Sequence, residues 1–114
     1  MTFSPDSELD ESDIEEQVET VLQDNDVVLF MKGNQLMPQC GYSKKAVALI
    51  SRHVEEFETV DVLPALAEYR EALEGHSGWE TIPQTYVDGE FIGGSDVLEE
   101  LEERDNLGDE LATA

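Results

Sequence analysis

The stretch "VVLFMKGNQLMPQCGYSKKAV", residues 27–47, decides the fold. Its first five residues, Val27 to Met31, form an unbroken apolar run, as in a short strand buried on both faces. "KGNQLMPQ" follows, with Gly33, Asn34 and Pro38 marking a loop. A helix is expected from about Gly41 to His53, with Ala46, Val47, Ile50 and Val54 on its inner side. Cys40, the only cysteine, therefore stands in the loop after a buried strand and at the start of a helix. Lys32, Lys44 and Lys45 lie close to it in sequence, half of the six basic residues in the chain.

Upstream, "SDIE" (12–15) reads as a capping box with Ser12 as N-cap. Ile14, Val18, Val21 and Leu22 then share one helical face. Downstream, "FETVDV" (57–62) reads as a second strand. "PALAEYREAL" (64–73) reads as a helix with Pro64 in its first turn, ended by "EGHSG". "QTYV" and "EFI" flank Asp88-Gly89, a strong signal for a two-residue hairpin turn. "GGSDVLEELEERD" opens a last helix capped by Ser95 or Asp96. Strand–helix–strand implies a parallel pair and the hairpin adds antiparallel strands. The expected class is α/β: a small mixed four-stranded sheet flanked by helices on both faces. Residues 1–11 read as an acidic flexible tail, 12–104 as the domain, and 105–114 as a second flexible tail.

With 28 acidic and 6 basic residues, the net charge is −22. Nucleic acid and anionic membranes would be repelled. The charge reads as a carboxylated surface screened at high salt, like that of proteins from salt-loving organisms. A surface for basic partners is the competing reading. The N-terminus lacks a basic segment followed by an apolar run, so no secretory signal is expected, and "VVLFM" is too short to span a bilayer. A single cysteine suits a reducing, cytoplasmic setting.

At a helix start, backbone N–H groups and the helix dipole favour thiolate over thiol, and the lysines push the same way. Cys40 as a small core residue, with Lys44 and Lys45 merely solvated, is the competing reading. Trp79 is expected in the core. His53 and His76 are read as surface residues without partners. Structural zinc needs about four Cys or His ligands, and this chain has three such residues, far apart.

"MKGNQLMPQCGYSKKAV" (31–47) resembles the active-site loop of the monothiol glutaredoxins, whose tetrad Cys-Gly-Phe-Ser here reads "CGYS". "WETIPQTYVDGEFIGGSDVLEEL" (79–101) is similar to the family's second block, at a matching separation. The resemblance implies the thioredoxin-like glutaredoxin fold. It implies Cys40 as nucleophile and cluster ligand, and Lys32 and Arg70 as holders of a carboxylate of glutathione. It sets Tyr42 along the bound thiol and Pro83 as a cis-proline after Ile82, whose backbone would pair with the thiol peptide. Gly94, Ser95 and Asp96 would take the γ-glutamyl end.

Ser43 stands where a two-cysteine relative would carry its resolving thiol, so Cys40 cannot resolve a mixed disulfide internally. A [2Fe–2S] cluster takes four ligands. Two copies of Cys40 and two borrowed thiols, glutathione or a relative such as γ-glutamylcysteine, would supply them. The resemblance implies a cluster carrier that serves iron–sulfur client proteins, a homodimer with cluster and a monomer without. Monothiol redox catalysis on mixed disulfides, at most weak, and a non-catalytic adaptor are the alternatives.

Overall fold

A computed structural model describes residues 11–112 of the chain. The elements are α1 (Glu11–Asp24), β1 (Val27–Met31), α2 (Gly41–Ser51), β2 (Glu58–Asp61), α3 (Leu66–Ser77), β3 (Gln84–Val87), β4 (Glu90–Gly93), α4 (Ser95–Glu103) and α5 (Leu107–Leu111). A 3-10 turn, Leu63–Ala65, carries Pro64 and leads into α3. Strand order is β2-β1-β3-β4. β1 pairs with β2 in parallel and with β3 antiparallel, and β3 pairs antiparallel with β4.

β1 is central, and all five of its residues are buried. Alternation splits them between two cores. Val28 and Phe30 join Ile14, Val18 and Leu22 of α1, Tyr69, Ala72 and Leu73 of α3, and Tyr86 of β3. Phe30 meets Tyr86 edge-on, with ring centres 5.5 Å apart. Val27, Leu29 and Met31 face the other way, toward Ala46, Leu49 and Ile50 of α2, Leu98 of α4, and Leu107 and Leu111 of α5. The expected mixed four-stranded sheet with helices on both faces is therefore present. Asp88 and Gly89 close the hairpin, both at positive φ (52° and 81°), the backbone that matches the twist of the strands.

Several boundaries differ from the sequence reading. α1 begins at Glu11, so Ser12 lies inside the helix, and residues 1–10 of the expected acidic tail lie outside the described residues. α2 ends at Ser51. α3 continues through the expected breaker to Ser77, because Gly78 (φ 79°) supplies the left-handed cap. α4 is capped at Gly94 without a side-chain bond, not at Ser95 or Asp96. A Cβ at Gly94 would lie 3.1 Å from the Pro83 carbonyl oxygen, so the chain turns where it passes close to that backbone.

The expected flexible tail from residue 105 is corrected most clearly. α5 occupies 107–111, and Leu107 and Leu111, spaced i,i+4, bury 100% and 98% of their surface against α4 and the sheet. Replacing Leu107 by Ala is expected to cost about 2–4 kcal/mol, since it leaves a cavity in a closed core. Urea unfolding checks this, and a loss below about 0.5 kcal/mol, the surface value, would return the segment to a tail.

Candidate functional site

The site is built at the end of β1 where the chain enters α2. Cys40 is the N-cap of α2, in extended backbone (φ −152°, ψ 155°). Its Sγ accepts the Ser43 backbone N–H at 3.3 Å and lies 3.2 Å from Ser43 Oγ. Ser43 is fully buried. Its hydroxyl oxygen accepts the Lys32 backbone N–H at 3.0 Å, which leaves the hydroxyl proton for the sulfur when the sulfur is thiolate. One buried hydroxyl thus ties the last turn of the central strand to the first turn of α2, with the thiol as the third member.

Cys40 remains partly exposed. Burial is the strongest single influence on the thiol and pushes its pKa up. The Ser43 hydroxyl, the backbone N–H groups of Ser43 and Tyr42, and the Lys32 charge act the other way. Together they win, and the thiol titrates below its ordinary value of 9.0. Because the native state favours the thiolate, the stability gained is present above the ordinary value. It is lost as pH falls through the lowered one.

The lysine cluster legible in the sequence does not assemble. Lys45 is engaged by Glu99 of α4, Nζ to carboxylate oxygen 2.6 Å, and Lys44 is exposed on α2. Lys32 alone bears on the sulfur. His53 also has a partner, contrary to expectation: its Nε2 lies 2.7 Å from Glu102 Oε1, and Arg52 binds the other oxygen at 3.0 Å. That pair closes α2 onto α4 far from the thiol in sequence.

A groove of about 560 Å³ opens beside the site. Tyr42, Trp79, Thr81, Ile82 and Pro83 form one part of its lining, and Phe91 through Val97 the other. Five of the residues singled out in the sequence for thiol binding meet here besides Tyr42: Ile82, Pro83, Gly94, Ser95 and Asp96. The Ile82–Pro83 peptide is cis. Cys40 itself stands two residues before Tyr42 and is not in the lining. Lys32 and Arg70 are not in it either, and no basic side chain is. The groove is mostly apolar, with Asp96 in the first turn of α4. Arg70 sits partly buried on α3 and, among the described residues, makes no ion pair. A larger hollow of about 790 Å³ lies at the opposite end of the sheet, lined by residues at the starts of β1 and β2, and holds none of this chemistry.

Trp79, expected in the core, is exposed and walls the groove. The residue that the sequence reading passed over is Gln84. It is fully buried. Its Nε2 donates to the carbonyls of Trp79 (2.7 Å) and Thr81 (3.1 Å), and its Oε1 accepts the Tyr86 hydroxyl (2.8 Å). Ser77 Oγ accepts the Trp79 N–H at 3.0 Å. A buried amide with both ends satisfied thus holds the 79–81 wall in place. A glutamine at the head of an apolar strand was the available signal.

Residues 27–92 match the Glutaredoxin family, and the chain belongs to it. Two of its relatives are named monothiol glutaredoxins. It is 45% identical over 98 residues to an uncharacterized monothiol glutaredoxin ycf64-like of Synechocystis sp., covering 86% of this chain and 91% of that protein. To the corresponding uncharacterized monothiol glutaredoxin of Porphyra purpurea it is 41% identical, covering 84% and 89%. The solution structure of reduced poplar apo GrxS14 superposes with a TM-score of 0.75 at 36% identity, over 86% of this chain and 89% of that one. The protein is a monothiol glutaredoxin with the thioredoxin-like fold.

Two outcomes follow from this geometry. Ser43→Ala is expected to move the pH midpoint of Cys40 alkylation up toward the ordinary thiol value and to slow alkylation at pH 7 several-fold, as iodoacetamide kinetics would read. An unchanged midpoint would remove Ser43 from the account. Gln84→Met removes the amide's bonds to the Trp79 and Thr81 carbonyls and the Tyr86 hydroxyl, leaving the Trp79 carbonyl only the Ser77 hydroxyl, and is expected to cost on the order of 2–3 kcal/mol. Hydrogen exchange should then quicken first in residues 79–82; uniform quickening would mean that Gln84 supports the core alone.

Proposed function

We propose that this glutaredoxin carries a [2Fe–2S] cluster as cargo, held by Cys40 and a low-molecular-weight thiol, and passes it to iron–sulfur client proteins. The observation that carries the reading is a thiolate-favouring Cys40 with a serine in place of a second thiol, beside an open groove. The donor set fits borrowed ligation. Among the described residues no three His, Cys, Asp or Glu side chains cluster as a metal site. One chain therefore offers one sulfur, and two chains with two external thiols offer four.

The groove fits the organic part of such a thiol. Trp79, Ile82, Pro83 and Phe91 give it apolar walls. The first turn of α4, from Ser95, presents unpaired N–H groups to a carboxylate, and Asp96 beside them suits an ammonium. An α-amino-acid end is thus provided for. The carboxylate at the other end of glutathione finds no cation in the lining, although Lys32 stands near the sulfur. γ-Glutamylcysteine, which lacks that carboxylate, suits the same groove. The apo chain is a monomer and the loaded form a homodimer in this reading, working where thiols stay reduced. Among the described residues no helix is long and apolar enough to cross a membrane.

A second reading shares the activated thiol. Cys40 thiolate attacks the glutathione sulfur of a protein mixed disulfide and expels the protein thiolate. Free glutathione then attacks the resulting Cys40 mixed disulfide, leaving as glutathione disulfide. Anaerobic reconstitution with iron, sulfide and glutathione separates the two. The expected product is coloured, doubles in mass on sizing, and is lost in Cys40→Ser or when the thiol is omitted. A colourless monomer that turns over a glutathione mixed disulfide would establish the second reading instead.

A further inference from the structure

Asp61 closes β2, where it pairs with Met31 at the end of β1. One of its carboxylate oxygens, Oδ1, accepts two backbone N–H groups, those of Leu63 and Gly33, each at 3.0 Å. The Leu63 bond is local and is the turn an Asp makes with the backbone just after it, here opening the 3-10 turn. The Gly33 bond spans 28 residues of sequence and reaches the loop that leads to the thiol. The local turn does not require it. Among the described residues no ion pair draws the carboxylate elsewhere. The ladder from β1 to β2 reaches Val62 N–H to the Met31 carbonyl, 2.9 Å, and the Asp61 side chain extends it by one charge-assisted bond.

The Gly33 N–H and the Lys32 carbonyl belong to one peptide plane and point opposite ways. The carbonyl accepts the Gln39 N–H at 2.8 Å, and Gln39 directly precedes Cys40. The plane is therefore held at one edge by Asp61 and at the other by the residue before the thiol. The Lys32 N–H, on the preceding plane, donates to Ser43 Oγ at 3.0 Å, and that oxygen lies 3.2 Å from the sulfur. Rotation of the 32–33 plane would loosen Gln39 and, through the shared Lys32 Cα, turn the N–H that orients Ser43. Gly33 has φ +87°, and a Cβ there would lie 2.5 Å from the Met37 carbonyl oxygen, so the loop folds back tightly at the point that Asp61 holds.

We propose that Asp61 is a positioning residue for Cys40: its carboxylate fixes the Lys32–Gly33 peptide, and that peptide sets the Gln39 backbone before the thiol and the Ser43 hydroxyl beside it. Asp61 lies outside the groove lining and acts through the backbone. By charge alone, a carboxylate near a thiol disfavours the thiolate. The positioning effect runs the other way, so the two are told apart by sign. The inference rests on Cys40 being the reactive sulfur, which the carrier and redox readings share, and its test needs no cluster.

The test measures the pH midpoint of Cys40 alkylation by iodoacetamide in the full, reduced chain, with amide exchange of Gly33, Gln39 and Leu63 followed alongside. Each of the variants removes the Asp61 charge, so its direct effect cancels between them. Asp61→Asn keeps an oxygen at the same reach. Asp61→Ser keeps the local turn to Leu63, on a shorter side chain that gives up Gly33. Asp61→Ala keeps neither. The Ser and Ala variants are expected to titrate above the Asn variant, slowing alkylation at pH 7 about three-fold relative to it, because the rate follows the thiolate fraction. Their Gly33 and Gln39 amides should exchange faster than in the Asn variant, with Leu63 still protected in the Ser variant. A purely structural role would lower the thermal unfolding of the Ser and Ala variants and leave their midpoints with that of Asn, which would overturn the proposal. So would one shifted midpoint common to all the variants, which leaves only charge, or a rise confined to Ala, which assigns the effect to the local turn.

Discussion

The structure depends on one buried hydroxyl. Ser43 Oγ accepts the backbone N–H of Lys32, where β1 ends, and faces the sulfur of Cys40, where α2 begins. A buried polar group left unpaired is costly, so this bond fixes strand to helix. It also aligns the first turn of α2 behind the thiol. The lowered pKa of Cys40 arises from short-range hydrogen bonding, with Lys32 adding its charge. The Ser43 hydroxyl is the largest of the influences that favour the thiolate.

The two cores have a division of labour that follows from strand alternation. One packs α1 and α3 against Val28, Phe30 and Tyr86 and carries the aromatic weight. The other packs α2, α4 and α5 against Val27, Leu29 and Met31, and so supports the helix that presents the thiol. The Lys45–Glu99 ion pair joins α2 to α4 at the surface, and Glu102 of α4 meets Arg52 and His53 just beyond the end of α2. These pairs are exposed and contribute modestly; the apolar contacts beneath them set the helix positions. Gln84 performs for the groove wall what Ser43 performs for the thiol.

Much of this was legible in the residues. The run Val27–Met31 could be read as a strand buried on both faces because no polar residue interrupts it, and Asp88-Gly89 could be read as a hairpin because few residues tolerate its backbone. The resemblance carried by "CGYS" and by residues 79–101 located Tyr42, Ile82, Pro83, Gly94, Ser95 and Asp96, which line one groove. Charge was the poor guide. Three lysines near a cysteine in sequence suggested a cationic site, but sequence proximity does not show that Glu99 claims Lys45 from another helix. Lys32 and Arg70, expected from the resemblance to hold a carboxylate of glutathione, lie outside the lining of that groove. α5 escaped because two leucines among acidic residues look like a tail until α4 and the sheet supply a place to bury them. Trp79 was assigned to the core by its size, whereas its backbone is held at the surface by Gln84 and Ser77.

The central claim is that a single sulfur is held as thiolate by its own loop while lying open to a guest. Titrating Cys40 directly, with ¹³C-labelled cysteine β-carbon followed by NMR across the pH range in the reduced protein, tests it. The account predicts one transition with its midpoint clearly below the ordinary thiol value of 9.0. A midpoint at or above that value would show burial outweighing the Ser43 and backbone hydrogen bonds, and would contradict the account.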